Sequence, residues 1–141
     1  MDSMSKPKGF TLIEVLAVVV ILGVLATIAY PTIGLLIENN KKDAYISSAK
    51  NLSSSARLAY FDYPNEFLNG QITVEKLSEL GYVENVVKDP WDGIIDSANS
   101  FVKIDSKTRE YYVELKSDSG YNINSAKISE ITRDDIEVPI S

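Results

Sequence analysis

No cysteine and no histidine occur among the 141 residues. Their absence removes disulfides, thiolate and imidazole chemistry, and the commonest zinc ligand sets, and it leaves the redox compartment unreadable. Arginine is scarce as well: Arg57, Arg109 and Arg133 stand against 20 acidic residues, and the formal net charge is −6. A chain this acidic is a poor binder of polyanions, so direct nucleic-acid binding is not expected. One long stretch lacks charge of either sign. Residues 15–37 hold no charged side chain, and as a helix they would span roughly 35 Å, more than the hydrocarbon core of a bilayer.

Just inside this apolar stretch lies one carboxylate, Glu14. An ionised group there is costly in lipid and calls for a partner, which makes Glu14 a functional candidate. Ahead of it runs a short polar leader, MDSMSKPKG, with Lys6 and Lys8 close to Gly9. A basic leader before an apolar run is first of all a signal-peptide pattern. Here the apolar run is too long for one, and no small-x-small cleavage site follows it. The segment is therefore expected to be retained.

The run Lys8-Gly9-Phe10-Thr11-Leu12-Ile13-Glu14-Val15-Leu16 resembles the processing site of type IV pilins and pseudopilins. The resemblance implies cleavage after Gly9 by a membrane-bound prepilin peptidase and methylation of the new terminal amine of Phe10. It also implies that Glu14, the fifth mature residue, sets the register between subunits. The physical reading agrees: cleavage places an amine about one helical turn from Glu14, and a buried charge left unpaired costs several kcal/mol, about 3–5. Losing Lys6, Lys8 and Asp2 with the leader takes the formal charge from −6 to −7. Lysines flank both ends of the apolar run, so charge alone does not orient it. The resemblance puts the leader in the cytoplasm and the C-terminal domain outside. Many pilins of Gram-negative bacteria carry a C-terminal disulfide, so a cysteine-free chain points towards a Gram-positive source or a pseudopilin.

The helical pattern continues beyond the apolar run. Tyr45, Ala49, Leu52, Ala56 and Ala59 recur at a spacing of three to four, marking one face, and Tyr63-Pro64 ends the helix. Pro31, which cannot donate a helical hydrogen bond, is expected to kink the first half. Residues 73–81 read as a second, short helix, with Thr73 as N-cap, Gly81 at its end, and Val74, Leu77 and Leu80 as its buried face. Alternating runs at Phe101–Ile104, Glu110–Leu115 and Tyr121–Ile123, with Ala126–Ile131 as a fourth, predict an antiparallel sheet. Turns are expected at Asp105–Thr108 and Asp118–Gly120, and the tail offers an edge segment. The expected fold is thus α+β and pilin-like: one long helix on a sheet of three to four strands. Its parts are a leader (1–9), a membrane or filament-core half-helix (10–37), an amphipathic half-helix (38–63) and a small αβ domain (64–141).

A second motif, Lys88-Asp89-Pro90-Trp91-Asp92-Gly93, resembles the DPWG stretch of major type II secretion pseudopilins and of some Gram-positive pilins. Asp89 can bond the backbone beyond Pro90 in an Asx-type turn while Trp91 anchors the loop, an architectural role. The chain departs from the pseudopilin pattern after Gly93, where Ile94-Ile95-Asp96 replaces Asn-Pro-Tyr. Major pseudopilins also bind calcium in a C-terminal loop. Asp105, Asp118, Asp134 and Asp135 are the acids available for that, without the spacing of a defined calcium loop. No other cofactor is expected.

These features make a structural subunit the leading expectation. It would assemble with copies of itself and related pilins, after contact with the prepilin peptidase, an inner-membrane assembly platform and membrane lipid. A pilus at the cell surface competes with a secretion or competence pseudopilus. From other classes come a signal-anchored binding domain that never polymerises, and an enzyme. For the enzyme, Glu110 with Glu114 or Asp134 with Asp135 could supply paired carboxylates. Nothing clusters with either pair in sequence, and no enzymatic activity is expected.

Overall fold

The computed structural model describes residues 9–140. Its first helix, α1 (Leu12–Asp62), is assigned without a break through Pro31. Contacts divide the chain between Glu38 and Asn39. In the first unit the helix lies bare. Every side chain from 9 to 37 is exposed, and the most apolar window has none of its residues buried. Its hydroxyls turn back onto the helix. Thr27 Oγ1 donates to the Val24 carbonyl at 2.7 Å and Thr32 Oγ1 to the Ile28 carbonyl at 3.4 Å, which hides two polar groups from an apolar surrounding.

In the second unit, the face of α1 marked by the 3–4 spacing is buried. Tyr45, Ala49, Leu52, Ala56 and Ala59 lie in one core with the sheet. The three alanines are fully buried, and such small side chains let helix and sheet backbones approach closely. The helix ends at Asp62, before Tyr63-Pro64, as the proline requires.

Five strands follow in a meander whose spatial order is their chain order: β1 (Gln71–Thr73), β2 (Phe101–Ile104), β3 (Tyr111–Leu115), β4 (Asn122–Lys127) and β5 (Ile136–Glu137), all antiparallel neighbours. Between β1 and β2 lies α2 (Val74–Glu79), capped by Thr73, whose Oγ1 accepts the Lys76 N–H at 3.1 Å. Register carries two buried rows across the sheet. Ile72 faces Val102, Val102 faces Val113, Val113 faces Ala126, and Ile123 faces Ile136. Burying each of these larger side chains contributes about 1.5–3 kcal/mol.

The sheet differs from the sequence expectation in two ways. It has five strands rather than three to four, because Gln71-Ile72-Thr73 pairs with β2 although only Ile72 is apolar. The segments expected at Tyr121–Ile123 and Ala126–Ile131 are one strand, β4. Ser125 takes φ +44° there, and the register shifts between Val113 and Leu115. Such a bulge puts two buried residues, Ile123 and Ala126, three apart instead of two. The tail supplies the edge strand β5. The leader lies, except for Gly9, outside the described residues.

Candidate functional site

The junction between Gly9 and Phe10 is non-helical and exposed, with Phe10 86% accessible. A peptidase needs an extended, reachable backbone, and α1 begins only at Leu12. Thr11 caps that helix in a reciprocal box. Glu14 N–H donates to Thr11 Oγ1 at 3.3 Å, and Thr11 N–H donates to Glu14 Oε2 at 3.2 Å. Two of the orphan donors of the first turn are thereby satisfied. Glu14 thus has a capping role that the sequence expectation did not give it. The signal is present in the sequence, since Thr-x-x-Glu before an apolar run is a capping box.

From this cap the exposed apolar surface runs on through Leu16, Val20, Val24, Ile28 and Leu35, each more than half accessible. No soluble monomer leaves so large an apolar surface in water; lipid or other subunits must cover it. This helix is long and apolar enough to cross a membrane.

The second feature is a carboxylate hub at Asp89, which is only 5% accessible. Its Oδ1 accepts the backbone N–H groups of Trp91 and Gly93, both at 2.8 Å, closing the turn around Pro90. Its Oδ2 accepts the hydroxyls of Ser117 and Ser119, from the turn between β3 and β4. Burial works against the charge, but these bonds outweigh it and hold the Asp89 carboxyl below the ordinary carboxylate range. The site has no room to spare. A Cβ on Gly93 would meet Asp89 Oδ2, Ser117 Oγ and Ser119 Cβ, each at 2.6 Å.

Trp91 sits on this hub. Its ring stacks on Tyr121 with centroids 3.7 Å apart and meets Tyr45 of α1 edge-on at 5.7 Å. The Tyr45 hydroxyl donates to the Tyr121 carbonyl at 2.9 Å, and burial, then the nearby Asp89 charge, push its pKa up. Thus the Asp89-Pro90-Trp91 loop, the β3–β4 turn and α1 are joined at one point. Ser117, Ser119, Tyr45 and Tyr121 lie far from Asp89 in sequence, so no local motif marks them as its members.

The remaining candidate acids are scattered. Asp105 accepts the Lys107 and Thr108 N–H groups of its own turn, and Asp118 accepts the Ile94 N–H at 2.7 Å. Asp135 caps Thr132, while Asp134 lies in the 3-10 turn Arg133–Asp135. Glu110 pairs with Lys127 at 2.7 Å, and Glu114 accepts a long bond from Ser125. Among the described residues no three such side chains converge to hold a metal ion.

Comparison with known proteins bears on the first of these regions and on the chain at large. Residues 4–30 match the family described as the prokaryotic N-terminal methylation motif. The chain is 35% identical over 104 residues to the type II secretion system core protein G of Vibrio cholerae, covering 64% of this chain and 70% of that one. To the core protein G of Escherichia coli K12 it is 30% identical over 103 residues, covering 64% and 71%. No solved structure matches the chain. With the processing junction, the bare apolar helix and its sheet-bearing domain in place, the chain belongs to the type IV pilin and pseudopilin family.

Proposed function

We propose that the chain is the repeating, non-enzymatic subunit of a type IV pilus-like filament, cut between Gly9 and Phe10, methylated at Phe10 and assembled through Phe10–Ile37. The observation that carries this reading is the apolar surface of that segment, exposed along its whole length and opening with a capped carboxylate. Before assembly the segment lies in the membrane, with the leader in the cytoplasm and the acidic domain outside. An inner-membrane platform then draws it into the filament. There Glu14 keeps one oxygen on the Thr11 N–H and offers the other to the Phe10 amine of a neighbour. A cap supports its own helix, and a charge pair sets the register of the next.

The two roles separate by substitution. Glu14→Gln keeps a side chain suited to the capping box but loses the charge, whereas Glu14→Ala loses both. On this reading both variants are still processed at Phe10 and both fail to assemble, as read by the amount of sheared filament. Normal filament from Glu14→Gln would reduce Glu14 to a cap and reject the register role.

A second reading, a secretion pseudopilus, is favoured by the similarity to core protein G over 64% of the chain, together with the Asp89-Pro90-Trp91 loop. It uses the same processing and the same helix, and differs in filament length and location. Processed protein confined to the cell envelope, absent from the sheared fraction, would select it.

A further inference from the structure

The three arginines are not used alike. Arg133 forms a fork with Asp43 of α1, Nε to Oδ1 and Nη2 to Oδ2, both at 2.7 Å. Arg57 of α1 and Arg109, at the end of the β2–β3 turn, line one groove of about 470 Å³ together with Tyr60, Phe61, Ile104 and Tyr111. Both arginines are exposed, and among the described residues neither has a carboxylate within ion-pair distance. Asp105 also lines the groove, but its Oδ1 is taken by the N–H groups of its own turn. Phe61 is 73% accessible beside them. The groove therefore presents two unpaired guanidinium forks and an uncovered aromatic ring on an otherwise acidic chain.

We infer that this groove receives a carboxylate-bearing surface of a neighbouring copy, so that the globular units make a charge-paired contact in addition to the one made by the apolar helices. The inference rests on the filament reading above. Its first argument is charge complementarity. From Phe10 onward each copy carries a formal −7, so a close neighbour meets repulsion at most approaches. At this groove two guanidiniums stand against the single carboxylate of Asp105, neither in an ion pair with it, and guanidinium binds carboxylate in two-pronged fashion. Exposed acids without an ion pair, among them Glu75, Glu84 and Asp134, lie elsewhere on the chain.

The second argument is symmetry. A basic groove that meets an acidic surface is a head-to-tail contact between unlike patches, and such contacts propagate into open helical filaments when the rotation does not close. Phe61 and Tyr60 would then be covered in the assembly, which accounts for an apolar floor between the two charges.

The test uses the full-length chain in its native cells. Arg57→Lys and Arg109→Lys keep the charge and introduce amines. Filaments assembled from a mixture of unlabelled and ¹⁵N-labelled copies are treated with a zero-length carbodiimide and digested. The inference expects cross-linked peptides that join position 57 or 109 to an acidic residue and pair light with heavy chains. It also expects the Arg57→Glu/Arg109→Glu variant to give at least tenfold less sheared filament. That variant should retain a membrane pool starting at Phe10 and unchanged Trp91 fluorescence, which shows that it folds. Normal assembly of the variant would overturn the inference, as would cross-links confined to one copy or made to a different protein. Filaments that form from the lysine variants without mixed cross-links at position 57 or 109 reject this contact alone. A wild type that never assembles rejects the filament reading and this inference with it.

Discussion

Replacing Asp89 by alanine should weaken the globular unit severely without touching the apolar helix. The side chain accepts four hydrogen bonds and is almost fully buried. A hydrogen bond to a charged group contributes about 1.5–3 kcal/mol, but four on one carboxylate are not additive. Part of the gain also offsets the cost of burying the charge. About 3 kcal/mol is the net expectation, near the upper end for a single substitution. For a domain of about 100 residues this lowers Tm by about 12–24 °C. Trp91 is the chain's single tryptophan and stacks above the hub, so its fluorescence and near-ultraviolet dichroism report directly on it. The assay is thermal unfolding of the full-length chain in detergent micelles, followed through both signals. Asp89→Asn keeps an oxygen for the Trp91 and Gly93 N–H groups and turns its amide towards two hydroxyls that can accept, so it should lose less than half as much. An alanine variant within about 3 °C of wild type, with unchanged Trp91 signals, would refute the reasoning.

Two further outcomes follow from the same hub. Gly93→Ala forces a methyl group to within 2.6 Å of Asp89 Oδ2, Ser117 Oγ and Ser119 Cβ, and overpacking of this kind costs about 1–3 kcal/mol. It should lower Tm while leaving processing at Phe10 intact, as intact mass would show. The Asp89 carboxyl is held below its ordinary value, so its stabilising effect is complete above the unfolded pKa of about 3.9 and fades as pH falls through the lower folded value. Tm should therefore depend on pH in this acid window less steeply in Asp89→Asn than in wild type. Equal slopes would contradict the assignment.

Much of the architecture could be read from residue patterns, and the exceptions have physical causes. The buried face of α1 was legible because Tyr45, Ala49, Leu52, Ala56 and Ala59 repeat at helical spacing over four turns. The short helix α2 was legible because Thr73 and Gly81 bracket it with cap chemistry. Strand β1 was not, since a single apolar side chain in three residues shows no alternation. Strand β4 broke its own pattern at Ser125, where the bulge changes the phase of burial. At the candidate site, Gly9, Phe10 and Glu14 stood out because charge, junction and apolar run are adjacent in sequence. The Asp89 hub shows the opposite case. The Asp89-Pro90-Trp91 turn is local and could be anticipated, but its partners Ser117 and Ser119 lie 28 and 30 residues away. Only the folded sheet brings them together.

The pairing of Arg133 with Asp43 belongs with these long-range features. It spans 90 residues and ties the last 3-10 turn to α1. Both groups are exposed, and surface pairs of this kind contribute little unless their geometry is two-pronged, as it is here.

The central claim is that this chain becomes an assembling subunit only after it is cut at the exposed junction before its helix cap. Intact-mass and N-terminal analysis of protein sheared from native cells tests that most directly. The account predicts a single mature species that begins at methylated Phe10 and lacks residues 1–9. A sheared or membrane-bound species that still begins at Met1 or Asp2, in cells with an active prepilin peptidase, would contradict it.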